Sequence, residues 1–564
     1  MLNLALVVYS QIYMLTYTPP ESQRPAKTRE KPWLLLLLVF AWLWPGVFSH
    51  GLWNPAEPKI FTAVTAFADG ASNWIPSVFG HPDFLVSPFY VWVAAGFRNL
   101  LSPWVTDPFS ATRFASVFFT MIGLLCSGLA GFKFLGRHQG RSVVLILTGC
   151  AGIITMAHLL NGFSVTFAAL SMCLYGYALV ERQVIMASLL LGCSWAVLSV
   201  SAGFVLPVAL ILASFLLLLS PLWRSKRYYI VLISALMSAV PLMMIYPFAL
   251  YRTNFAVFEL WRQQHAFGPF GGIQHFQTAF SLVYYLKNLL WFAFPAWALA
   301  IWTATRVRLT QERWGVLSLV WLGVIGCLLI IDPKQYQDNL VWLLPPLALL
   351  GAARLDGLRS GAAAFINWFG VMTFGLLAVF LWLGFFAMNY GWPERLAARA
   401  HYFSPYYDMA DIDVMPMIVA ISFTPIWLWA ITRKHIRGRQ AVTNWAAGIT
   451  LSWALLMTLF LPWLDAAKSH KPVVQQMITA MPADLRQAVF AGKQCISVDS
   501  WATTARIAWT QYSKLPLSVN NTACGYRLTE QPKGSAAPKG WQTVWQGARP
   551  RNKVEGFALL KKAV

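Results

Sequence analysis

Residues Gly51 to Leu101 read GLWNPAEPKIFTAVTAFADGASNWIPSVFGHPDFLVSPFYVWVAAGFRNLL. Ile60, Val64 and Phe67, with Phe61 and Ala68 beside them, recur at helical spacing, and Phe84 to Leu101 is apolar apart from Arg98. Both runs predict amphipathic helices lying in a membrane interface rather than crossing the bilayer. Asp69, in the ADG step between them, reads as a turn or helix-end residue.

Working outward, the flanks of this stretch are long apolar runs. The chain has 564 residues, of which 58% are hydrophobic and only 11% charged, and this excludes a water-soluble globule. Crossing roughly 30 Å of hydrocarbon takes about 20 apolar residues. Thirteen candidate spans result, near 33–52, 114–135, 142–158, 163–180, 185–201, 203–221, 228–250, 284–304, 314–331, 338–352, 365–387, 414–431 and 442–464. Lys and Arg outnumber Asp and Glu by 43 to 21, in short clusters between those runs and not on one folded surface. That argues against nucleic acid as a partner. The clusters Arg24/Lys27/Arg29/Lys31, Lys133/Arg137/Arg141, Arg182, Arg224/Lys226/Arg227, Arg306/Arg308/Arg313, Arg354/Arg359 and Arg433/Lys434/Arg437/Arg439 fall on every second connection, the cytoplasmic side by the positive-inside rule. An odd number of spans then puts the N-terminal segment inside and the tail outside, in the periplasm of a Gram-negative cell.

The expected organisation is a cytoplasmic segment 1–32, a membrane domain 33–464 with interfacial helices in 53–113 and 251–283, and a periplasmic domain 465–564. Met1 to Tyr17 form an apolar run of marginal length that reads as an extra span, as a signal-like segment or, more plainly, as residues 1–13 extending ahead of a start at Met14. The long loops, 53–113, 251–283, 332–337 and 388–413, lie with the tail on the non-cytoplasmic side, where function is to be sought. Helices roofing a cavity at the membrane surface suit an enzyme acting on a lipid-carried substrate.

Five cysteines, Cys126, Cys150, Cys173, Cys193 and Cys327, fall inside spans and read as packing residues. Cys495 and Cys524 are the two in the tail, and an oxidising compartment predicts a disulfide between them. The tail mixes helical-looking KPVVQQMITAMPADLRQAVFAGK with strand-like CISVDS and CGYRLTE, as a small α/β domain would. Its 14 Lys/Arg against five Asp/Glu face either anionic headgroups or polysaccharide, or only solvent.

Leu52-Trp53, Pro55, Glu57, Asn73-Trp74, Pro76, Gly80, Pro82, Pro88 and Trp92, followed by Arg113-Phe114-Ala115-Ser116, resemble a signature of the integral-membrane GT-C glycosyltransferases. The likeness is to the bacterial aminoarabinose transferase branch, related to protein O-mannosyltransferases, with its LWxPDExR, GDWxxPxxxGxPxxEKPPLxYW and RLPSAL motifs. Lys334, Leu344 and Pro345 are similar to its lysine-bearing segment ahead of an LP span. The resemblance implies a polytopic all-α membrane protein of about 13 helices with a small C-terminal periplasmic α/β domain. It implies transfer of a sugar from an undecaprenyl-phosphate donor to a lipid or glycan acceptor such as lipid A, in the bacterial inner membrane. The family's charges are lost at three sites: the expected catalytic aspartate is Ala56, its EK pair is Leu85-Val86, and an aspartate before the fourth span is Asn161.

Transfer from a polyprenyl phosphate needs a carboxylate to take the acceptor's proton and cations to neutralise the departing phosphate. Glu57, beside the lost aspartate, is the first candidate base, against a role as a helix-start carboxylate before Lys59 and Ile60. Asp83 is the second. For the phosphate the candidates are Lys59, Arg252, Arg262 and Lys334, with snorkelling as the plainer reading of Arg252 and Arg262. No metal site is predicted: His265, His275 and Glu259 match no ligand spacing, and Asp408, Asp411 and Asp413 admit a divalent cation or a solvated loop. No Walker motif, GxGxxG or nucleotide-sugar domain is present, which argues against an ATP-driven pump or a nucleotide-sugar enzyme and favours a lipid-linked donor; no cofactor is assigned beyond that divalent cation. Two competing readings stand beside the transferase: a catalytically degenerate GT-C protein that binds polyprenyl lipid or scaffolds glycan assembly, and, ranked last, a secondary transporter, for which neither repeats nor charged spans are seen.

Overall fold

The computed structural model describes residues 32–271, 276–407, 414–432, 438–552 and 554–563. Helix runs through each of the thirteen apolar stretches. Among the described residues, seven helices are long and apolar enough to cross a membrane unbroken: Pro108–Leu135, Val184–Ala202, Lys226–Thr253, Arg313–Ile330, Ser360–Tyr390, Val414–Ile431 and Gly438–Leu459. The chain is a multi-pass membrane protein with a small C-terminal α/β domain.

Of the other six stretches, 163–180 and 203–221 are single shorter helices, Phe163–Leu179 and Val205–Leu217, and four depart from a simple rod, each for a local reason. The stretch 142–158 is a helix pair bent by 69° between Arg137–Thr148 and Ala151–His158. At the bend Trp445 Nε1 donates to the Gly149 carbonyl at 2.9 Å, taking an acceptor that a straight helix would use. The stretch 284–304 breaks between Leu282–Phe292 and Ala296–Ala304, where Pro295 brings no N–H. The stretch 338–352 opens as a tighter 3-10 turn, Gln337–Leu343, before the helix Leu344–Ala353. The stretch 33–52 is helical only to Leu43; Gly46 then adopts φ +86°, with Met457 Cγ 2.9 Å from where a Cβ would sit.

Gly51 to Leu101 folds as a layer on one face of the bundle, the loop face. Helix Ala56–Ala68 carries the Ile60/Val64/Phe67 pattern, with Phe61 and Val64 fully inward. A tight hairpin follows, β1 (Ser77–Val78) against β2 (His81–Pro82), turned at Phe79 and Gly80 with φ of 53° and 82°. Helix Pro88–Leu101 begins on Pro88, whose missing N–H costs nothing there. Asp69 ends the first helix and binds Arg98 of the second at 2.8 Å, pinning the pair.

The C-terminal domain carries a five-stranded mixed sheet of β3 (Ile496–Val498), β4 (Leu517–Val519), β5 (Tyr526–Glu530), β6 (Trp541–Gly547) and β7 (Phe557–Lys562), in the order β4-β3-β5-β7-β6. Cys495 and Cys524 are disulfide-bonded with their Cα atoms 5.1 Å apart, tying the starts of β3 and β5. Trp509, Val498, Leu528 and Leu559 lie in its core. Ile507 of helix Thr503–Ser513 packs instead into the core of the loop-face layer, with Phe61, Tyr90 and Val91. The domain therefore sits directly on the helices built from Gly51 to Leu101.

Candidate active site

The start of helix Ala56–Ala68 is organised around a buried ion pair. Arg113, on the first long span, places Nε 2.8 Å from Glu57 Oε1 and Nη2 2.9 Å from Oε2, a two-pronged contact that a guanidinium makes well. Glu57 Oε2 also accepts from the Trp53 amide at 2.8 Å, and Oε1 from the Leu160 amide at 2.9 Å. Arg113 uses its other donors on the carbonyls of His50, at 3.1 Å, and Gly51, at 2.6 Å. Burial alone would raise the Glu57 carboxyl, but the Arg113 charge, the hydrogen bonds from Arg113 and the Trp53 amide and the nearby His50 together hold the group below its usual range. With Glu57 1% exposed and four donors filling its four acceptor directions, no lone pair is left for a substrate. Glu57 fastens Trp53, Leu160 and the first span to one another, and this geometry offers no open acceptor for the role of base expected of it.

Ala56, one residue earlier, is exposed on the surface that Glu57 turns away from. Of the neighbouring lost pair, Leu85 is 64% exposed and Val86 buried. Lys59 and Asp83, predicted separately, come together in an ion pair of 2.6 Å, and Asp83 Oδ1 also accepts from the Leu85 amide at 3.0 Å. Lys334 is exposed at the turn before Gln337–Leu343. Arg252 is exposed near the ring of Phe248, and Arg262 binds Glu259 at 2.6 Å.

The loose group of Glu259 and His265 is not assembled. Both nitrogens of His265 face buried carbonyls, Phe84 and Val200 at 3.0 Å each, and burial pushes its imidazole below the usual value. Glu259 is taken by Arg262 and Gln263. His275, Asp408, Asp411 and Asp413 lie outside the described residues. Among the described residues no group of three His, Cys, Asp or Glu is placed to hold a metal ion.

Three acidic residues went unnoticed in the sequence. Asp332 is buried, accepting from Tyr285 Oη, from Asn339 Nδ2 at 2.9 Å and from the Lys334 amide at 2.9 Å. Asp338, six residues on, is half-buried, and the side chain of Asn161 is its hydrogen-bond partner. Asp465 ties the C-terminal domain to the loop face, accepting from the Gly51 amide at 2.9 Å and Trp53 Nε1 at 3.0 Å. Burial raises the Asp465 carboxyl above its usual value. Tyr512 adds a hydrogen bond, 2.7 Å from the Leu52 amide, and Arg506 lies over the Phe79 ring at 4.0 Å. The segment IDPKQYQD carried a signal for the first two acids, since two carboxylates beside a lysine at a span end seldom stand there without a partner.

No protein-family model matches the sequence, and no curated protein matches it. Among solved structures the chain is similar to ArnT from Cupriavidus metallidurans in the apo state, with a TM-score of 0.61 at 14% identity, covering 94% of this chain and 98% of that one. It is also similar to ArnT from Cupriavidus metallidurans bound to undecaprenyl phosphate, with a TM-score of 0.59 at 13% identity, covering 94% and 97%. At these identities the likeness is one of fold. The chain has the GT-C fold of ArnT, an aminoarabinose transferase, along nearly its whole length.

Proposed function

We propose that this chain, a membrane protein of the GT-C fold, transfers a sugar from a polyprenyl-phosphate donor to an envelope acceptor, lipid A or another glycan. The reaction takes place on the periplasmic face of a bacterial inner membrane. The observation that carries this reading is the likeness in fold to ArnT over nearly the full length of both chains, one of those ArnT structures having undecaprenyl phosphate bound. The alternation of basic loops supports the orientation, with the C-terminal domain outside. Lys59, Arg252, Arg262 and Lys334 are the cations proposed to meet the donor phosphate, and membrane lipid surrounds the site. Asp83 is held by Lys59, and the two part when a phosphate competes for the ammonium.

A second reading, a degenerate GT-C protein that binds polyprenyl lipid without transfer, is favoured by one observation: Ala56, Leu85, Val86 and Asn161 are uncharged where the family resemblance implies charges. Mass spectrometry of lipid A and envelope glycans from a deletion strain and its complemented parent separates the two. Loss of one defined sugar mass on deletion, restored by the wild-type chain, is the expected result. Unaltered glycans, with undecaprenyl phosphate still bound by the purified protein, would establish the second reading.

A further inference from the structure

We infer that Asp338 is the proton acceptor of the transfer reaction, a role that rests on the transferase reading. The inference comes from accounting for the carboxylates on the elements that meet at the start of helix Ala56–Ala68. Glu57 has all four acceptor directions filled by Arg113, Trp53 and Leu160. Asp107 caps the helix Pro108–Leu135, with Oδ1 accepting from the amides of Phe109 at 2.9 Å and Ser110 at 3.0 Å. Asp69 and Asp83 are neutralised by Arg98 and Lys59 at 2.8 and 2.6 Å. Asp332 is buried under Tyr285, Asn339 and the Lys334 amide.

Asp465 is spent on docking the C-terminal domain, its Oδ1 accepting from the Gly51 amide at 2.9 Å and from Trp53 Nε1 at 3.0 Å. Asp338 has no such task. It is half-buried, it is in no ion pair among the described residues, and its side-chain partner is the neutral Asn161. It also belongs to the same construction as the buried pair, because Leu160, which gives its amide to Glu57, is the neighbour of Asn161. Asn161 is itself held: its Oδ1 accepts from the Phe163 amide at 2.9 Å, which leaves its amide nitrogen to steer Asp338. Ser87 contributes a buried hydroxyl with no hydrogen-bond partner, and its Cβ lies 2.9 Å from where a Cβ of Gly162 would sit. An oriented carboxylate in no ion pair, on a segment whose next residue approaches an unpaired hydroxyl, is what a base with a substrate-positioning group requires. In the step, an acceptor hydroxyl passes its proton to Asp338 and its oxygen bonds to the anomeric carbon of the donor. The bond from that carbon to the phosphate oxygen breaks, and polyprenyl phosphate leaves with the electron pair.

The test compares wild type and Asp338→Asn, complementing the deletion strain and purified in lipid nanodiscs containing undecaprenyl phosphate. Expected is a fall in the rate of sugar transfer of about 10² to 10⁴, the usual worth of a positioned base, with undecaprenyl phosphate still bound. Transfer by Asp338→Asn within threefold of wild type, roughly the scatter of such rates, overturns the role while leaving the transferase reading intact. A wild type that binds undecaprenyl phosphate and alters no envelope glycan overturns the transferase reading, and this role with it. A second measurement needs no variant: labelling the native protein with a water-soluble carbodiimide and an amine, followed by peptide mapping. Asp338 is expected to carry the adduct and Glu57 to escape it; an unlabelled Asp338 overturns the inference.

Discussion

Glu57 and Asp338 touch two consecutive residues, Leu160 and Asn161, yet they stand in opposite circumstances. Glu57 takes the Leu160 amide and three further donors, two of them from a guanidinium, and is closed to water. Asp338 takes a side-chain hydrogen bond from Asn161 and keeps part of its surface open. Residue type and position in a motif favoured Glu57 as the reactive group; the count of donors reverses that choice. A carboxylate with every acceptor direction filled is a fastener, whereas chemistry needs one with directions to spare.

The largest effect that would break this comparison is on stability. Glu57→Gln turns one acceptor oxygen into an N–H donor facing Arg113 or the Leu160 amide and leaves the guanidinium buried without its counter-charge. Disrupting such a pair costs about 3–5 kcal/mol, to be read as a large fall in the thermal unfolding midpoint of the purified protein. Asp338→Asn removes no ion pair and should shift the midpoint by less than about 1 kcal/mol equivalent. Equal losses in the two variants would erase the distinction. Acid gives the same contrast: because the Glu57 carboxyl is lowered in the folded protein, its stabilisation is present above the ordinary carboxylate value and is lost as pH falls through the lowered one. Wild type should therefore lose more stability on acidification than Glu57→Gln does.

Periodicity and charge alternation made the membrane domain legible, because a span must satisfy its backbone internally and therefore leaves a long apolar trace. Spacing also marked the helix Ala56–Ala68: Ile60, Val64 and Phe67 keep helical spacing whether or not the bilayer is near. Breaks were less visible. The bend at Gly149 depends on Trp445, nearly 300 residues away, and no local pattern announces it. The site was legible only as a set of residue types. Lys59 and Asp83 were both chosen, but their pairing depends on the hairpin turned at Phe79-Gly80, which brings residue 83 back toward the first helix. Glu57 was chosen for its chemistry, and nothing in LWNPAE reveals that an arginine 56 positions later saturates it.

A mid-sized effect tests whether the C-terminal domain shares in this organisation. A Cβ on Gly51 would come within 2.8 Å of Tyr512 Oη and 2.9 Å of Ser469 Oγ, so Gly51→Val must push the domain away from the start of the loop-face layer. The hydrogen bonds of Asp465 to Gly51 and Trp53, and of Tyr512 to Leu52, would be strained together. Overpacking of this kind costs about 1–3 kcal/mol, and faster proteolysis within the tail, with the membrane spans still protected, is the expected readout. Unchanged proteolysis would mean that the contact is incidental to docking.

The smallest effect concerns Asp83, which stands between the two extremes: it is paired, but to a lysine whose side chain is 35% exposed. An ion pair of that exposure is worth at most about 1 kcal/mol, so Asp83→Asn should leave folding nearly unchanged. Transfer measured beside donor binding separates two roles. If Asp83 only neutralises Lys59 until a phosphate arrives, removing its charge ends a competition for the ammonium, and affinity for undecaprenyl phosphate should rise by about two- to tenfold, the equivalent of about 0.4–1.4 kcal/mol. If Asp83 were instead the base, affinity would rise in the same way but transfer would collapse. Titrating undecaprenyl phosphate into Asp83→Asn and measuring transfer in the same preparation therefore places this carboxylate with the fasteners or with Asp338.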